Sequence, residues 1–304
     1  MDRLEAMSIL RAAVETGSFS AASRRLRVPL PTVSRKVAEL ERHLKARLLV
    51  RSTRKLALTD AGADYLAACK RILEQVDEAE AAVAGEYSVP RGELAVTAPV
   101  VFGRLHVLPV VCDFLARFAD IDVHLTLSDR NVNLIDDQID VAVRIGALPD
   151  SSMSATKVGT VRRVVCGSPD ILAARGTPKQ PEDLAGTPCV TVASAAGRAP
   201  WTFARGRGAA RSVPVQERLS VNTVEAALDA ALAGVGLTRV LSYQAARAVR
   251  DGKLRVVLQK FEPAPLPVSL MHAGGDPLPL KVRSFLDFTA PRLRKVLGTL
   301  EGAL

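Results

Sequence analysis

Phe19–Leu44 reads FSAASRRLRVPLPTVSRKVAELERHL. Two amphipathic helical patterns flank a break at Arg27-Val28-Pro29-Leu30, and the basic residues fall on the faces opposite the apolar ones. In the second pattern Val33, Val37, Leu40 and Leu44 share one face. Pro31, Arg35, Ala38 and Arg42 project near the opposite side, with Ser34 at the flank. Pro31 suits a first helical turn, where a missing N–H costs no hydrogen bond. Ser18 is placed to cap the preceding helix, whose small Ala21 and Ala22 permit close packing while Leu26 enters the core. Helix, tight turn, helix is the expected result: a helix-turn-helix with a small cationic reading face.

The next stretch, RLLVRSTRKLALT from Arg47 to Thr59, reads as a hairpin. Its tip, Arg51-Ser52-Thr53-Arg54-Lys55, forms a wing able to reach backbone phosphates, to which arginine donates paired hydrogen bonds. From Arg24 to Lys55 there are eleven basic residues against Glu39 and Glu41. That excess equals the net charge of +9 of the whole chain of 304 residues. A solvated cationic face is the bland reading of any one of these residues. The set, with turn, faces and wing in order, points to a polyanion.

The remaining composition is that of a globular protein, with 48% hydrophobic and 24% charged residues, which excludes a disordered acidic chain and a membrane protein. Cys69, Cys112, Cys166 and Cys189 form no CxxC pair and the four histidines no HxxxH pattern, so no metal site or cofactor is expected. The charged MDRLEAMSIL start has no signal h-region and no apolar run approaches membrane-spanning length, so a cytoplasmic location without a membrane partner is expected.

Thr59 to Tyr87 reads as one long helix capped by Thr59. Leu66, Cys69, Leu73, Val76, Glu80 and Val83 approximate a three-four alternation, the seam of a coiled coil with a second copy of the chain. From Glu93 onward, strand-like runs alternate with helical ones, the rhythm of a mostly parallel sheet. The strands are ELAVTAP, DVHLTLS, DVAVRIG, RRVVCGS, PCVTVA, GLTRVL, LRVVLQKF and LPVSLMHA; the helices lie near 104–118, 169–175, 223–235, 242–251 and 279–297. The fold class is α/β with an N-terminal all-α winged helix-turn-helix, the α/β part forming two lobes around a ligand cleft.

Gly17–Gly62 (GSFSAASRRLRVPLPTVSRKVAELERHLKARLLVRSTRKLALTDAG) closely resembles the amino-terminal domain of LysR-type transcriptional regulators. RGELAVTAPVVFGRLHVLP, LIDDQIDVAVRIG and GSPDILAARGTP resemble their effector domain, most of all in the CrgA-like or AphB-like group. Three departures stand out: Pro29-Leu30 where the family often has Ser-Gln, Lys45-Ala46 with Leu48-Leu49 where it commonly has glycine and Leu-Phe, and GVGLTRVLSY without its usual proline.

The resemblance implies a DNA-binding domain at 1–58, a dimerising linker helix at 59–88 and an effector domain at 89–304. The last has two Rossmann-like lobes of the periplasmic-binding-protein type, one from 92–162 with 265–304 and one from 163–264. It assigns DNA contacts to Ser18, Leu30, Pro31, Thr32, Ser34, Arg35, Arg51 and Arg54. It assigns effector contacts to the turn Thr97-Ala98-Pro99-Val100, whose helix start would favour a carboxylate, to Arg144-Ile145-Gly146, and to Trp201, Asn222 and Thr223. Each has a plain competitor: Thr97 as a cap, Arg144 in an interlobe ion pair, Trp201 in the core, Asn222 as an N-cap. The implied partners are double-stranded promoter DNA, a small anionic effector, further copies of the chain in dimers and tetramers, and RNA polymerase.

An enzyme and a transporter's solute-binding protein are the alternatives. No Gly-x-Ser-x-Gly, Walker loop or full Gly-x-Gly-x-x-Gly is present; the Ser52–Lys55 match to Ser-x-x-Lys lies in the wing, and Gly234-Val235-Gly236 closes a helix. A solute-binding protein would carry a secretory leader and no basic helix-turn-helix.

Overall fold

The computed structural model describes residues 1–51, 56–83, 89–130, 134, 137–148, 153–194, 197–198, 200–205, 209–273 and 278–301. It divides into two compact units, Met1–Val89 and Pro90–Leu304.

The first unit packs α1 (Arg3–Glu15), α2 (Phe19–Leu26) and α3 (Leu30–Leu44) around Ile9, Leu10, Ala22, Val33, Val37 and Leu40. Asp2 caps α1, and Ser18 caps α2 by accepting from the Ala21 N–H at 3.1 Å. Between α2 and α3, Arg27 adopts the left-handed conformation (φ 55°) and the Ser23 hydroxyl donates to the Val28 carbonyl at 2.6 Å. Pro31 lies in the first turn of α3. The Glu41 carboxylate then accepts from the backbone N–H groups of Leu48 (2.8 Å) and Leu49 (3.2 Å), fixing α3 to the hairpin. That hairpin is β1 (Leu49–Arg51) against β2 (Leu56–Leu58), with Leu49 opposite Leu58, so the unit is not purely helical. The wing tip, including Arg54, lies outside the described residues.

Thr59 caps α4 (Asp60–Val83), its hydroxyl accepting from the Gly62 N–H at 2.9 Å. A Cβ on Gly62 would lie 1.9 Å from the Leu48 carbonyl oxygen, so this first turn needs glycine to reach the hairpin. The stripe read as an intermolecular seam needs correction. Leu66, Cys69 and Leu73 are buried in the core of their own chain, where α4 packs on α1. A three-four alternation reports that a face is covered and not by what. Val76 is half-buried and Glu80 exposed, while Tyr87 falls outside the described residues.

Among the described residues, the second unit holds two large sheets and a small two-stranded one. Its strands and helices in chain order are β3 (Gly92–Ala98), α5 (Val100–Phe102), a π turn (Gly103–Val107), α6 (Leu108–Arg117), β4 (Ile121–Leu127), β5 (Val141–Ile145), β6 (Met153–Val161), β7 (Arg163–Gly167), α7 (Pro169–Arg175), β8 (Pro188–Ser194), β9 (Gly197–Arg198), β10 (Trp201–Arg205), β11 (Ala209–Val213), β12 (Gln216–Val221), α8 (Val224–Leu232), β13 (Leu237–Leu241), α9 (Ser242–Arg250), β14 (Arg255–Val257), β15 (Leu266–Ala273) and α10 (Leu280–Glu301). The first sheet runs β4-β3-β5-β15-β6 and the second β12-β8-β13-β7-β14, with β9 beside β8 and β10–β11 a separate hairpin. Both sheets are mixed: β3 pairs in parallel with β4 and β5, but β15 is antiparallel to β5 and β6, and β7 to β13 and β14. The expectation of mostly parallel sheets therefore fails where the chain crosses between lobes and returns.

The first lobe's core gathers Phe102, Phe114 and Phe285 with Leu94, Leu270 and Leu293; the second lobe's gathers Val165, Leu184, Trp201, Phe203 and Leu237. The chain passes between lobes directly from β6 to β7 and again before β15. Arg162 at the first crossing pairs with Glu262 at the second (2.8 Å). It also exchanges backbone bonds with Ser242, donating to the hydroxyl (3.1 Å) and accepting from its N–H (2.8 Å). No described helix is long and apolar enough to cross a membrane.

Candidate DNA-reading face and ligand cleft

On α3 the core takes Val33, Val37 and Leu40, which leaves Leu30, Pro31, Arg35 and Arg42 exposed and Thr32 and Ser34 half-buried. Arg35 has 62% of its side chain in solvent and pairs with Glu39 (3.2 Å), one turn on. Such an exposed pair contributes little, about 0.3–0.5 kcal/mol, so an anion can draw the guanidinium away. Lys36 leaves the cationic face: only 15% of its side chain is exposed, and it pairs with Glu5 of α1. Arg25 pairs with Glu15 at 2.9 Å. The Ser18 hydroxyl serves the α2 cap. The backbone of Arg51 closes β1. Exposed Arg24 and Arg27, beside the turn, join this face; their signal was present in the charge count but not in the apolar periodicity.

In the second unit a cleft of about 250 Å3 opens where strand ends of the first lobe face the second. Pro99, Asp129, Arg144 and Ile145 line it on one side, and Arg163, Val224, Tyr243 and Gln244 on the other. Arg144 donates from Nη1 to the carbonyl of Val143 (3.3 Å), while its Nη2 is buried without a hydrogen-bond partner. Burial holds its pKa below the usual arginine value. A buried guanidinium nitrogen without an acceptor is costly, and an anionic acceptor would relieve that cost.

The expected turn divides. Thr97 and Ala98 are fully buried, the Thr97 hydroxyl without a partner, and neither lines the cleft; Pro99 does. The Val100 N–H is already taken by the Asp129 carboxylate at 3.1 Å, so the helix start offers that group to no ligand as it stands. Gly146 turns the chain at φ 117°, its N–H bonded to Pro267 (2.9 Å), and stays outside the lining while Ile145 enters it. Asn222 is exposed, and the N-cap of α8 is Thr223, whose hydroxyl accepts from the Ala226 N–H at 3.3 Å. Neither lines the cleft; the next residue, Val224, does.

Trp201 is a core residue and also lines an adjoining hollow of about 240 Å3. Arg239 lies over its ring (5.6 Å to the centroid) and donates to the carbonyls of Pro200 (2.9 Å) and Thr202 (3.3 Å). Burial, and secondarily the charge of Arg163, lower the Arg239 pKa to about 10. Arg163, Val224, Leu241 and Gln244 line both hollows, so the two adjoin.

Tyr243 and Gln244 open α9 at the end of β13, the same strand-to-helix placement that singled out Pro99, so that signal applied to the second lobe would have found them. Arg130, Arg163 and Arg239 had no comparable local signal. The Gln244 side chain donates to the Tyr243 hydroxyl (3.2 Å) and accepts from the Leu241 N–H (2.8 Å). Burial pushes the Tyr243 phenol well above its usual value, leaving it a neutral donor.

Each of the two units matches a known family. Residues 4–63 match the family described as bacterial regulatory helix-turn-helix protein, lysR family, and residues 88–294 match the LysR substrate binding domain. An HTH-type transcriptional regulator of Xanthomonas campestris pv. campestris (strain 8004) is 37% identical over 92% of this chain and 82% of its own length. An HTH-type transcriptional repressor of Pseudomonas aeruginosa (strain UCBPP-PA14) is 35% identical over 95% of this chain and 91% of its own. The solved structure of CrgA, a LysR-type transcriptional regulator from Neisseria meningitidis, is 29% identical, covers 97% of this chain and 98% of that one, and superposes with a TM-score of 0.60. With a helix-turn-helix unit and a two-lobed effector-binding unit in this order, the chain belongs to the LysR family of DNA-binding transcriptional regulators.

Proposed function

We propose that this regulator binds a specific double-stranded promoter sequence through α3 and its wing, and that a small anionic effector in the interlobe cleft sets how it does so. The observation that carries the effector reading is the buried Arg144 Nη2 without a partner, which an anion would satisfy. Arg35, Ser34, Thr32, Pro31 and Leu30 form the reading surface, and Arg51 and Arg54 the wing's phosphate contacts. Ser18 contributes by holding α2 and through its backbone. Residues 1–58 form the DNA-binding domain, 59–88 the linker that pairs two copies, and 89–304 the effector domain. The exposed Ile72 supports a pairing face of α4 beside the buried stripe. Dimers, assembling further into tetramers, present two reading helices to one face of DNA, and effector closure of the lobes changes their spacing and contact with RNA polymerase. The protein acts in the cytoplasm without catalysis. Footprinting of bound genomic DNA tests the reading: discrete sites with paired half-sites support it, and uniform coverage without sequence preference overturns it. Adding carboxylate metabolites of the adjacent genes' pathways should shift the footprint of the wild type and not of Arg144→Gln.

A further inference from the structure

The cleft holds more positive charge than its own carboxylates answer. Arg130, Arg144 and Arg163 line the first hollow against a single described carboxylate, Asp129, which is bonded to the Val100 N–H. Arg163 continues into the second hollow, where Arg239 adds a guanidinium whose described acceptors are neutral carbonyls. Between the ends lie apolar surfaces of Val224 and Leu241. We propose that the effector is an elongated dianion with an apolar middle, one anionic group at Arg144 and the other at Arg163 beside Arg239.

The proposal rests on the cleft being the effector site and adds the ligand's charge and shape. A monoanion at Arg144 would leave the second end uncompensated, with two arginines close enough for Arg163 to depress the Arg239 pKa. A compact dianion such as phosphate would fill one hollow and leave the other empty. Arg239, fixed by Trp201 and two carbonyls, has little rotamer freedom left to lose, so it offers a preformed positive wall. The exposed Arg163, shared by both hollows, is the side chain free to close over the second anionic group. The neutral phenol of Tyr243 can donate to the first.

The test uses the full chain and calorimetric titration with the straight-chain diacids succinate through suberate, each beside its monomethyl and dimethyl esters. At least one diacid should bind about tenfold or more tighter than its monoester, the scale of one closed charge pair. Arg163→Gln should weaken that diacid about tenfold more than it weakens the monoester, removing most of the diacid's advantage. Arg144→Gln should weaken both, with unchanged far-ultraviolet circular dichroism as the check on folding. Equal binding of diacid and monoester, both lost in Arg144→Gln, overturns the dianion while leaving an anionic effector in place. Preference for the dimethyl ester overturns both readings, and absence of binding by every diacid overturns the dianion.

Discussion

At Lys45 a single backbone angle carries a stability cost. It ends α3 with φ 53° and ψ 30°, bonding its N–H to the Arg42 carbonyl, a helix-ending conformation that favours glycine. A side chain there costs about 1 kcal/mol, offset in part by lysine's charge at the helix C-terminus. Lys45→Gly is expected to stabilise the DNA-binding unit by about 0.5–1 kcal/mol, read as a higher denaturation midpoint in urea with an unchanged slope. An unchanged or lower midpoint would show that the lysine's charge outweighs the strain. The position was legible in the sequence as a departure from the family's glycine, but its sign as strain was not, because only φ distinguishes a tolerated lysine from a costly one. Thr97 shows the opposite limit. Its place at a strand end suggested a ligand contact, yet β3 is a central strand between β4 and β5 with the π turn and α10 packed on it, so the hydroxyl faces protein.

At the scale of elements, α3 was readable because one face must be apolar to form the core, and what remains is by subtraction the face proposed for DNA. Arg35→Ala is expected to weaken binding to the specific site by about 1–3 kcal/mol if the guanidinium makes a paired contact to a base edge. Unchanged affinity and base preference in a titration would take it off the reading surface. The strands of the sheet interiors were legible for the same reason, as runs of Val, Leu and Ile. The edge strands β6 and β12 were not: β6 buries little along MSATKVGT before Val161, and Gln216–Val221 is largely exposed, so neither shows the apolar signature. On α4 the stripe was legible and its partner was not. Ile72→Glu is expected to weaken dimerisation with the first unit still folded, whereas Leu73→Glu should unfold that unit, since it forces a charge into the core around Leu10 and Val37. Sedimentation together with circular dichroism separates the two, and an intact dimer in Ile72→Glu would exclude that face.

Across the whole effector unit, the two lobes meet in an aromatic contact that no linear pattern displayed. Tyr243 of α9 enters the first lobe's core, edge-on to Phe102 (5.2 Å) and His106 (5.6 Å). The same side chain lines the cleft, so a ligand at Arg144 and the packing that joins the lobes share one residue. His106 has a buried Nε2 with no partner, and burial lowers its pKa. The native state therefore disfavours protonation of this imidazole, while the unfolded chain takes up a proton at about pH 6.5. Unfolded chains bind more protons in that window, so stability falls as pH drops through the unfolded value towards the lower native one. Carboxylates contribute their own acid dependence lower on the scale, and it is common to wild type and variant. His106→Gln, which cannot titrate, is thus expected to flatten the dependence of the effector unit's melting temperature on pH between about 7.5 and 5.5, whatever it does to the melting temperature itself. An equal slope in wild type and variant would place the acid sensitivity elsewhere. Loss of the slope with a cooperative transition would locate a proton-sensitive joint where the first lobe's π turn meets Tyr243.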